Sequence, residues 1–398
     1  MRQKSPLKTT HSKKGFTIIE LMVGMLIAMI IFLVISFVFS NFENQKRLTT
    51  TSSDTQSSGL TAMVQLEQDL RSAGAGFVDP NIFDCKYIYS YYNDGTSTLD
   101  PAPGYTSYFA PAVITDGGAT GSDTITIRAS GGDLSGAIPT QLAVDLTPSS
   151  TLMAVNRGIG FKTGQVVLLK QGNNCSVHQV SSVTATANFV NLTTGGVPTW
   201  NPTSAYQASG TPGSCAATAP PPVPACPASG WPTYNASIAS VYSIGIIQQR
   251  TYSVNASKQL QVVTASAGTT TTTDALVGDV VSVQAQYGVS SAAGVQDVSS
   301  WVSPTGTWAA TALDASAIKR IKAIRIVVIV RSPKFETANV TSTCVNNAGT
   351  NNGPCAWRDS ATSPAPLIDL SSDANWQHYR YKTFQTIVPL RNVIWAGV

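Results

Sequence analysis

One carboxylate stands inside the most apolar stretch of this 398-residue sequence. Residues 16–39 read FTIIELMVGMLIAMIIFLVISFVF, and Glu20 is their only charged residue. A carboxylate in such a segment is costly and indicates a function. Gly15 lies just upstream, where a small, flexible residue gives a peptidase access to its carbonyl. Cleavage there would make Phe16 a new amino terminus, one helical turn from Glu20, and a neighbouring chain's amine could then pair with this carboxylate.

The apolar stretch predicts a membrane-spanning helix. Its 24 residues extend over about 36 Å as a helix, against about 30 Å for a hydrocarbon core. Residues 1–15 carry five basic residues and no acidic one, which places this end in the cytoplasm. A secretory signal is cleaved after a shorter apolar run, whereas Gly15 precedes this run. The alternative is a plain signal anchor in which Glu20 is incidental.

The segment from Lys14 to Leu21, KGFTIIEL, resembles the class III signal of type IV pilins and type II secretion pseudopilins. The resemblance implies cleavage after Gly15 by prepilin peptidase, N-methylation of Phe16, and a role for Glu20 in setting the stagger between adjacent subunits. Major pilins commonly carry helix-kinking prolines here, whereas residues 7–79 contain none. That departure favours a minor subunit over a shaft-forming one.

Composition and charge indicate an extracellular β-rich domain. Charged residues make up 12% of the chain, against about 25% in an average domain. The net charge of +4 comes from the leader, because the remaining chain has 20 basic and 21 acidic residues. This balance argues against a nucleic-acid partner.

The predicted fold class is α+β, with a long N-terminal membrane-spanning helix packed on a mainly antiparallel, pilin-like β-sheet domain. The helix covers residues 16–73, loosened at the Thr/Ser tract 49–58, and its outer half buries Leu60, Met63, Leu66 and Leu70. The predicted organisation is a cleaved leader (1–15), a transmembrane or filament-core half (16–40), an outer helical half (41–76) and a β-rich periplasmic or extracellular domain (77–398) with a Pro-rich loop near 194–232.

The β pattern begins after the helix. Ile324–Val330 is a continuous apolar run, which predicts a central strand covered on both faces. The candidate strands are 123–128, 165–170, 177–183, 242–254, 260–264, 279–287, 319–330 and 379–389.

Three further segments resemble PilW-type minor pilins: LEQDLRSAGAGF at 66–77, GDVVSVQAQYGV followed by DVSSW within 278–301, and HYRYKTFQTIVPLRN at 378–392. The resemblance implies a subunit that helps to prime a type IV pilus and is incorporated near the tip. It implies as partners prepilin peptidase, other minor pilins, the major pilin, the assembly platform and a tip adhesin. It places the chain in the inner membrane, single-pass with a cytoplasmic N-terminus, and later in the extracellular pilus.

Six cysteines in a charge-poor chain indicate disulfides in an oxidising compartment. Cys215 with Cys226, and Cys344 with Cys355, each bracket ten residues and are predicted pairs. Cys85 and Cys175 are candidates for a third pair. The alternative is a set of buried free thiols.

The sequence offers no catalytic or metal-binding motif. His178 and His378 are interpreted as strand surface residues, and no cysteine or histidine spacing suits a metal. We therefore expect no enzyme activity, no metal and no cofactor. Two alternatives to the minor pilin remain: a minor pseudopilin of a type II secretion system, and a membrane-anchored adhesin or binding domain.

Overall fold

A computed structural model describes residues 15, 17–77, 79–93, 98–99, 109–131, 139–147, 150–158, 160–184, 188–192, 200–201, 231–266 and 271–396. Their helices are α1 (Ile18–Ser72), α2 (Ala315–Arg320) and α3 (Arg391–Ala396), with short 3-10 turns at Pro80–Asp84, Gly306–Trp308 and Trp376–His378. Their strands are β1 (Tyr87–Tyr89), β2 (Tyr92–Asn93), β3 (Thr98–Leu99), β4 (Ala112–Thr115), β5 (Thr124–Gly131), β6 (Thr140–Gln141), β7 (Leu152–Ala154), β8 (Val166–Gln171), β9 (Asn174–Gln179), β10 (Ser182–Thr184), β11 (Phe189–Asn191), β12 (Ser240–Ser243), β13 (Ile246–Val254), β14 (Leu260–Ser266), β15 (Thr272–Val277), β16 (Val280–Val289), β17 (Ser300–Val302), β18 (Ile321–Arg331), β19 (Cys344–Asn346), β20 (Gly349–Asn351) and β21 (Tyr381–Pro389).

The chain divides into two compact units, Met1–Asp54 and Thr55–Val398. The second unit holds the sheets, in the orders β1-β9-β8-β12-β6, β10-β11-β7, β15-β14-β13-β5-β4 and β17-β16-β18-β21, with two-stranded ladders β2-β3 and β19-β20. The pairs are antiparallel apart from β1 with β9. A long apolar helix followed by antiparallel sheets confirms the predicted α+β class.

The apolar strand β18 lies inside its sheet, between β16 and β21. One face, which includes Ile324 and Val328, belongs to the main core. The other, with Val327 and Ile329, packs under the segment that carries β19 and β20, including Trp376. Burial on both faces explains why this strand is continuously apolar.

The C-terminal part of α1 packs within the second unit. Met63, Leu66 and Leu70 are buried, as expected. Leu60 is 51% exposed, so its predicted burial is wrong. The buried position in that turn is Gly59, where an added Cβ would overlap the ring of Phe384 on β21. The Phe384 ring therefore occupies the space that a side chain at position 59 would need.

The Thr/Ser tract of α1 is helical rather than loosened. The hydroxyls of Thr49, Thr50 and Thr51 donate to the carbonyl oxygens four residues earlier, at 2.9–3.0 Å. Such bonds let threonine hydroxyls stay satisfied without leaving the helix.

Three predicted strand ranges cross an element boundary in the structure, and one of them, 177–183, takes in parts of both β9 and β10. The range 242–254 contains two strands, β12 and β13, because the chain turns at Gly245 with φ of 60°. Lys319 and Arg320 belong to α2, whose first turn is capped by the Asp314 carboxylate accepting from the Ala317 N–H at 2.8 Å. The unpredicted strands, such as β17 and β19, are mostly too short to show a periodicity.

Candidate functional site

Gly15 is exposed and precedes α1. In the part of the chain that the structure describes, no atom lies within 4 Å of a Cβ built on it. A larger residue would therefore meet no obstacle among the described residues, and their packing does not require glycine here. Phe16 and residues 1–14 lie outside the described residues, and cleavage and methylation stay predictions.

Glu20 and Thr17 form a reciprocal cap at the start of α1. The Thr17 N–H and hydroxyl both donate to the Glu20 carboxylate at 3.0 Å. The Glu20 N–H donates to the Thr17 hydroxyl oxygen at 3.3 Å. The Thr-x-x-Glu spacing is that of a capping box, which satisfies otherwise unpaired N–H groups at a helix end. Glu20 thus has a role within its own chain, and its proposed pairing with a neighbour's amine would compete with this cap.

The first 25 residues of α1, Ile18 to Phe42, present apolar side chains to the outside. Phe32 is 70% exposed, and Phe37 is 71% exposed. In the described part of the chain, α1 is the helix long and apolar enough to cross a membrane. Apolar side chains on every face of a helix need lipid or other helices around them.

Asp69 anchors the last turns of α1, a role that sequence reasoning missed. Its carboxylate is 5% exposed, accepts from Arg250 Nη1 at 2.6 Å and also accepts from the Tyr252 hydroxyl. Burial and this hydrogen bond raise the pKa of Tyr252. The available signal was an acidic residue three positions after Leu66 and beside Leu70, on the predicted buried stripe.

The structure contains two of the candidate disulfides, Cys85–Cys175 and Cys344–Cys355, each with Cα atoms 5.6 Å apart. The described residues contain no free cysteine. Cys215 and Cys226, with most of the Pro-rich loop, lie outside the described residues.

His178 and His378 are not strand surface residues, so both assignments are wrong. His178 lies on β9, is 5% exposed, contacts Ser176 Oγ through Nε2 at 2.9 Å and meets the Trp231 ring. His378 closes a 3-10 turn and stacks on Phe335. The strand alternation of β9 fails to predict exposure because both of its faces are covered.

The described residues contain no group of three or more His, Cys, Asp or Glu side chains arranged to hold a metal ion.

Arg325 is a second site that sequence reasoning missed. It lies on β18, is 8% exposed and is sandwiched between the rings of Trp301 and Trp357, 4.9 Å and 4.4 Å from its guanidinium carbon. Its Nε donates to Gln286 Oε1 at 2.8 Å. Burial lowers its pKa to about 10, so it stays charged at neutral pH. The resemblance at 278–301 pointed to this region through Trp301 but not to its cation.

Comparison with known families identifies two regions of the chain. Residues 246–392, from β13 into α3, match the family described as type IV pilus-assembly protein W. Residues 10–36 match the prokaryotic N-terminal methylation motif. These matches confirm the resemblances at the leader and at the C-terminal region.

One solved structure that matches part of the chain is a type IV-like pilin from Thermus thermophilus. The two are 16% identical, the match covers 38% of this chain and 69% of that one, and the TM-score is 0.22. No curated protein matches the chain.

Proposed function

We propose that this chain, a type IV pilus-related minor pilin of the PilW family, helps to prime pilus assembly and is built into the filament near its tip. The role is structural and needs no enzymatic activity of its own. A minor pseudopilin of a secretion system and an anchored adhesin remain the alternatives to be separated by experiment.

The observation that carries this proposal is the division of α1 between the two units. Ile18–Phe42 is apolar and exposed, whereas Met63, Leu66 and Leu70 are buried against the sheets. The first stretch can exchange lipid for the helices of other subunits without disturbing the packed part. Such an exchange is what moves a subunit from the membrane into a filament.

The cap at Glu20 supports the same proposal. Among the described residues, the partner that holds its carboxylate beside the helix start is Thr17. After cleavage at Gly15, the amine of a neighbouring subunit would offer the carboxylate a charged partner. An ion pair in a dry environment is strong only where its geometry is well satisfied, so the pairing would fix the stagger of two helices.

The continuous course of α1 favours a minor role over a shaft-forming one. The helix runs through 55 residues from Ile18 to Ser72. It has no proline to kink it. Before assembly, the basic leader would hold the N-terminus in the cytoplasm, with the second unit on the far side of the inner membrane. The proposed partners are prepilin peptidase, the other minor pilins, the major pilin and the assembly platform.

Deletion of the gene tests the proposal when surface pili are scored with retraction on and off. A priming subunit is needed for assembly, so we expect few or no pili when retraction is active and only partial recovery when it is blocked. Unchanged piliation in both backgrounds would contradict the priming role and favour an adhesin. A loss of protein secretion with normal pili would favour the pseudopilin.

A further inference from the structure

The strand β21 has a free edge. In its sheet, β21 pairs with β18 and forms the end of the order β17-β16-β18-β21. The Leu390 N–H donates to the Lys322 carbonyl, and the Ser332 N–H donates to the Arg380 carbonyl, both at 2.8 Å. Hydrogen-bonded pairs alternate along antiparallel strands. These two bonds therefore show which residues of β21 direct their N–H and C=O groups toward β18 and which direct them away.

This alternation points the backbone groups of Thr383, Gln385 and Ile387 away from β18. None of the three has another backbone partner among the described residues. All three residues are exposed, Ile387 by 60%. An exposed edge with unpaired N–H and C=O groups is a template for pairing with another chain. Pro389 lacks an N–H and limits such pairing to the preceding residues.

A cation lies beside this edge. Arg325 is the cross-strand partner of Ile387 and lines a cavity of about 440 Å³ together with Trp357, Arg358 and β21 residues. The structure gives neither arginine a salt bridge within the described part of the chain. The nearby Asp359 carboxylate already accepts from the Ala365 N–H and from Asn347.

Arg325 is a buried cation without a direct ion pair, which is costly. Its indole and amide contacts and the charge of the nearby Asp359 compensate only in part. The same cavity borders the exposed Arg358, so one buried and one exposed guanidinium make it complementary to a carboxylate. Because Gln385 and Ile387 line the same cavity, a side chain from a strand paired with β21 would reach it.

We propose that the free edge of β21 accepts an extended segment of another protein as an added strand, and that an Asp or Glu of this segment enters the cavity beside Arg325 and Arg358. Main-chain bonds would supply affinity and the carboxylate would supply register. The proposal goes beyond the assembly role, because an anchored binding protein could use the same edge.

Site-specific photo-crosslinking in the cells that make the full chain tests this proposal. A photoreactive residue replaces Ile387, with a matched control at Thr273 on β15, an exposed position on another edge strand. We expect a discrete adduct at position 387 and not at 273. Mapping of the adduct should place the bound peptide in a segment with an Asp or Glu.

Three variants test which contacts bind the added strand. Gln385→Pro removes an edge N–H that β18 does not use, and Arg358→Gln changes an exposed residue, so both should keep the fold. Each should lower adduct yield about tenfold, as loss of a charge or main-chain contact predicts. Arg325→Gln should also lower the adduct yield, provided that tryptophan fluorescence shows the variant to be folded. If it is not folded, Gln385→Pro and Arg358→Gln provide the test.

An adduct absent at 387, insensitive to Gln385→Pro and Arg358→Gln, or mapped to a segment without acidic residues would overturn the proposal. Piliation of the same strains is scored in parallel. If the deletion strain has normal pili but the crosslink still forms, the priming role is contradicted and the strand interaction is supported. The failure of one proposal can therefore be told from the failure of the other.

Discussion

At the residue scale, burial shifts two pKa values in opposite directions. Burial lowers the pKa of His178 to about 4, while a side-chain hydrogen bond with Asn201 opposes the shift. Burial raises the pKa of Asp123 to about 7, although the Gly117 and Ala285 N–H groups donate to its carboxylate and act in the opposite direction.

The signs of the two contributions follow from proton binding. Between pH about 4 and about 6.5, the unfolded chain binds more protons at His178, so its contribution to stability is lost as the pH falls. Between pH about 4 and about 7, the folded chain binds more protons at Asp123, so its contribution is lost as the pH rises. The two slopes oppose each other over the same range.

Replacing either residue alone should therefore reveal the pH dependence that the other contributes to the unfolding free energy. Relative to the unmodified chain, we expect Asp123→Asn to gain about 2–3 kcal/mol of unfolding free energy from pH 4.5 to about 6.5, and His178→Phe to lose a similar amount. Urea unfolding of the full chain in detergent, followed by tryptophan fluorescence, measures this, because all seven tryptophans lie at or after Trp200. Parallel pH profiles of the two variants would contradict both assignments.

Gly15→Val should leave the protein in the membrane at precursor size. The valine side chain would meet none of the described residues, so we expect the fold to be unaffected and the peptidase alone to reject the variant. The measurement is the size of the membrane-bound species on a gel, with Gly24→Val as control because that position is equally open. Normal processing of Gly15→Val would contradict the assignment of Gly15 as the cleavage site.

The two roles of Glu20 can be separated by Glu20→Gln. Glutamine can take the capping position of glutamate but carries no charge, so we expect normal processing and membrane insertion with reduced incorporation into sheared filaments. Thr17→Ala is the matched control: it weakens the cap by about 1 kcal/mol and keeps the charge, so it should incorporate nearly normally. If Glu20→Gln is incorporated as well as the unmodified chain, Glu20 acts as a helix cap and its charge is not needed for assembly.

At the element scale, the contact of α1 with β21 depends on a missing side chain. Gly59 is buried under Phe384, and a Cβ there would overlap the ring. In an open helix, alanine is favoured over glycine by about 1 kcal/mol. The contact must therefore outweigh helix propensity at this position.

Gly59→Ala should thus destabilise the protein by about 1–3 kcal/mol, the usual cost of overpacking. In a Phe384→Ala background the same change should stabilise it by about 1 kcal/mol, because propensity alone then acts. A double-mutant cycle by urea unfolding measures the difference. The same sign in both backgrounds would show that the ring does not limit this approach.

At the scale of the whole molecule, the two disulfides span very different lengths of chain. Cys85–Cys175 closes a separation of 90 residues, and Cys344–Cys355 a separation of 11. The second supports a hairpin that Asn351 also holds, by accepting from the Ile368 N–H at 2.7 Å and donating to the Cys344 carbonyl at 3.0 Å.

Loss of the long bridge should cost more stability than loss of the short one. In the loop-entropy relation, about 4–5 kcal/mol is expected for the first and about 3 kcal/mol for the second. Paired Cys→Ser variants, compared by urea unfolding, test this order. A larger loss from Cys344→Ser with Cys355→Ser would show that the hairpin, rather than chain closure, dominates.

The sequence by itself determined the features that depend on neighbouring residues. The apolar run with Glu20, the helical stripe ending at Leu70 and the buried strand at 324–330 are each visible as local patterns. The leader and the C-terminal region are recognisable for the same reason, since their motifs are contiguous.

Tertiary structure alone decided the features that join distant residues. Gly59 meets Phe384, Asp69 meets Arg250 and Tyr252, and Arg325 meets Trp357 only after the chain has folded. A local sequence pattern cannot predict these contacts, because the partners are 32 to 325 residues apart. The register in which strands pair also depends on side-chain packing across the sheet. Burial likewise follows from which faces are covered, and that depends on the assembly of the whole sheet.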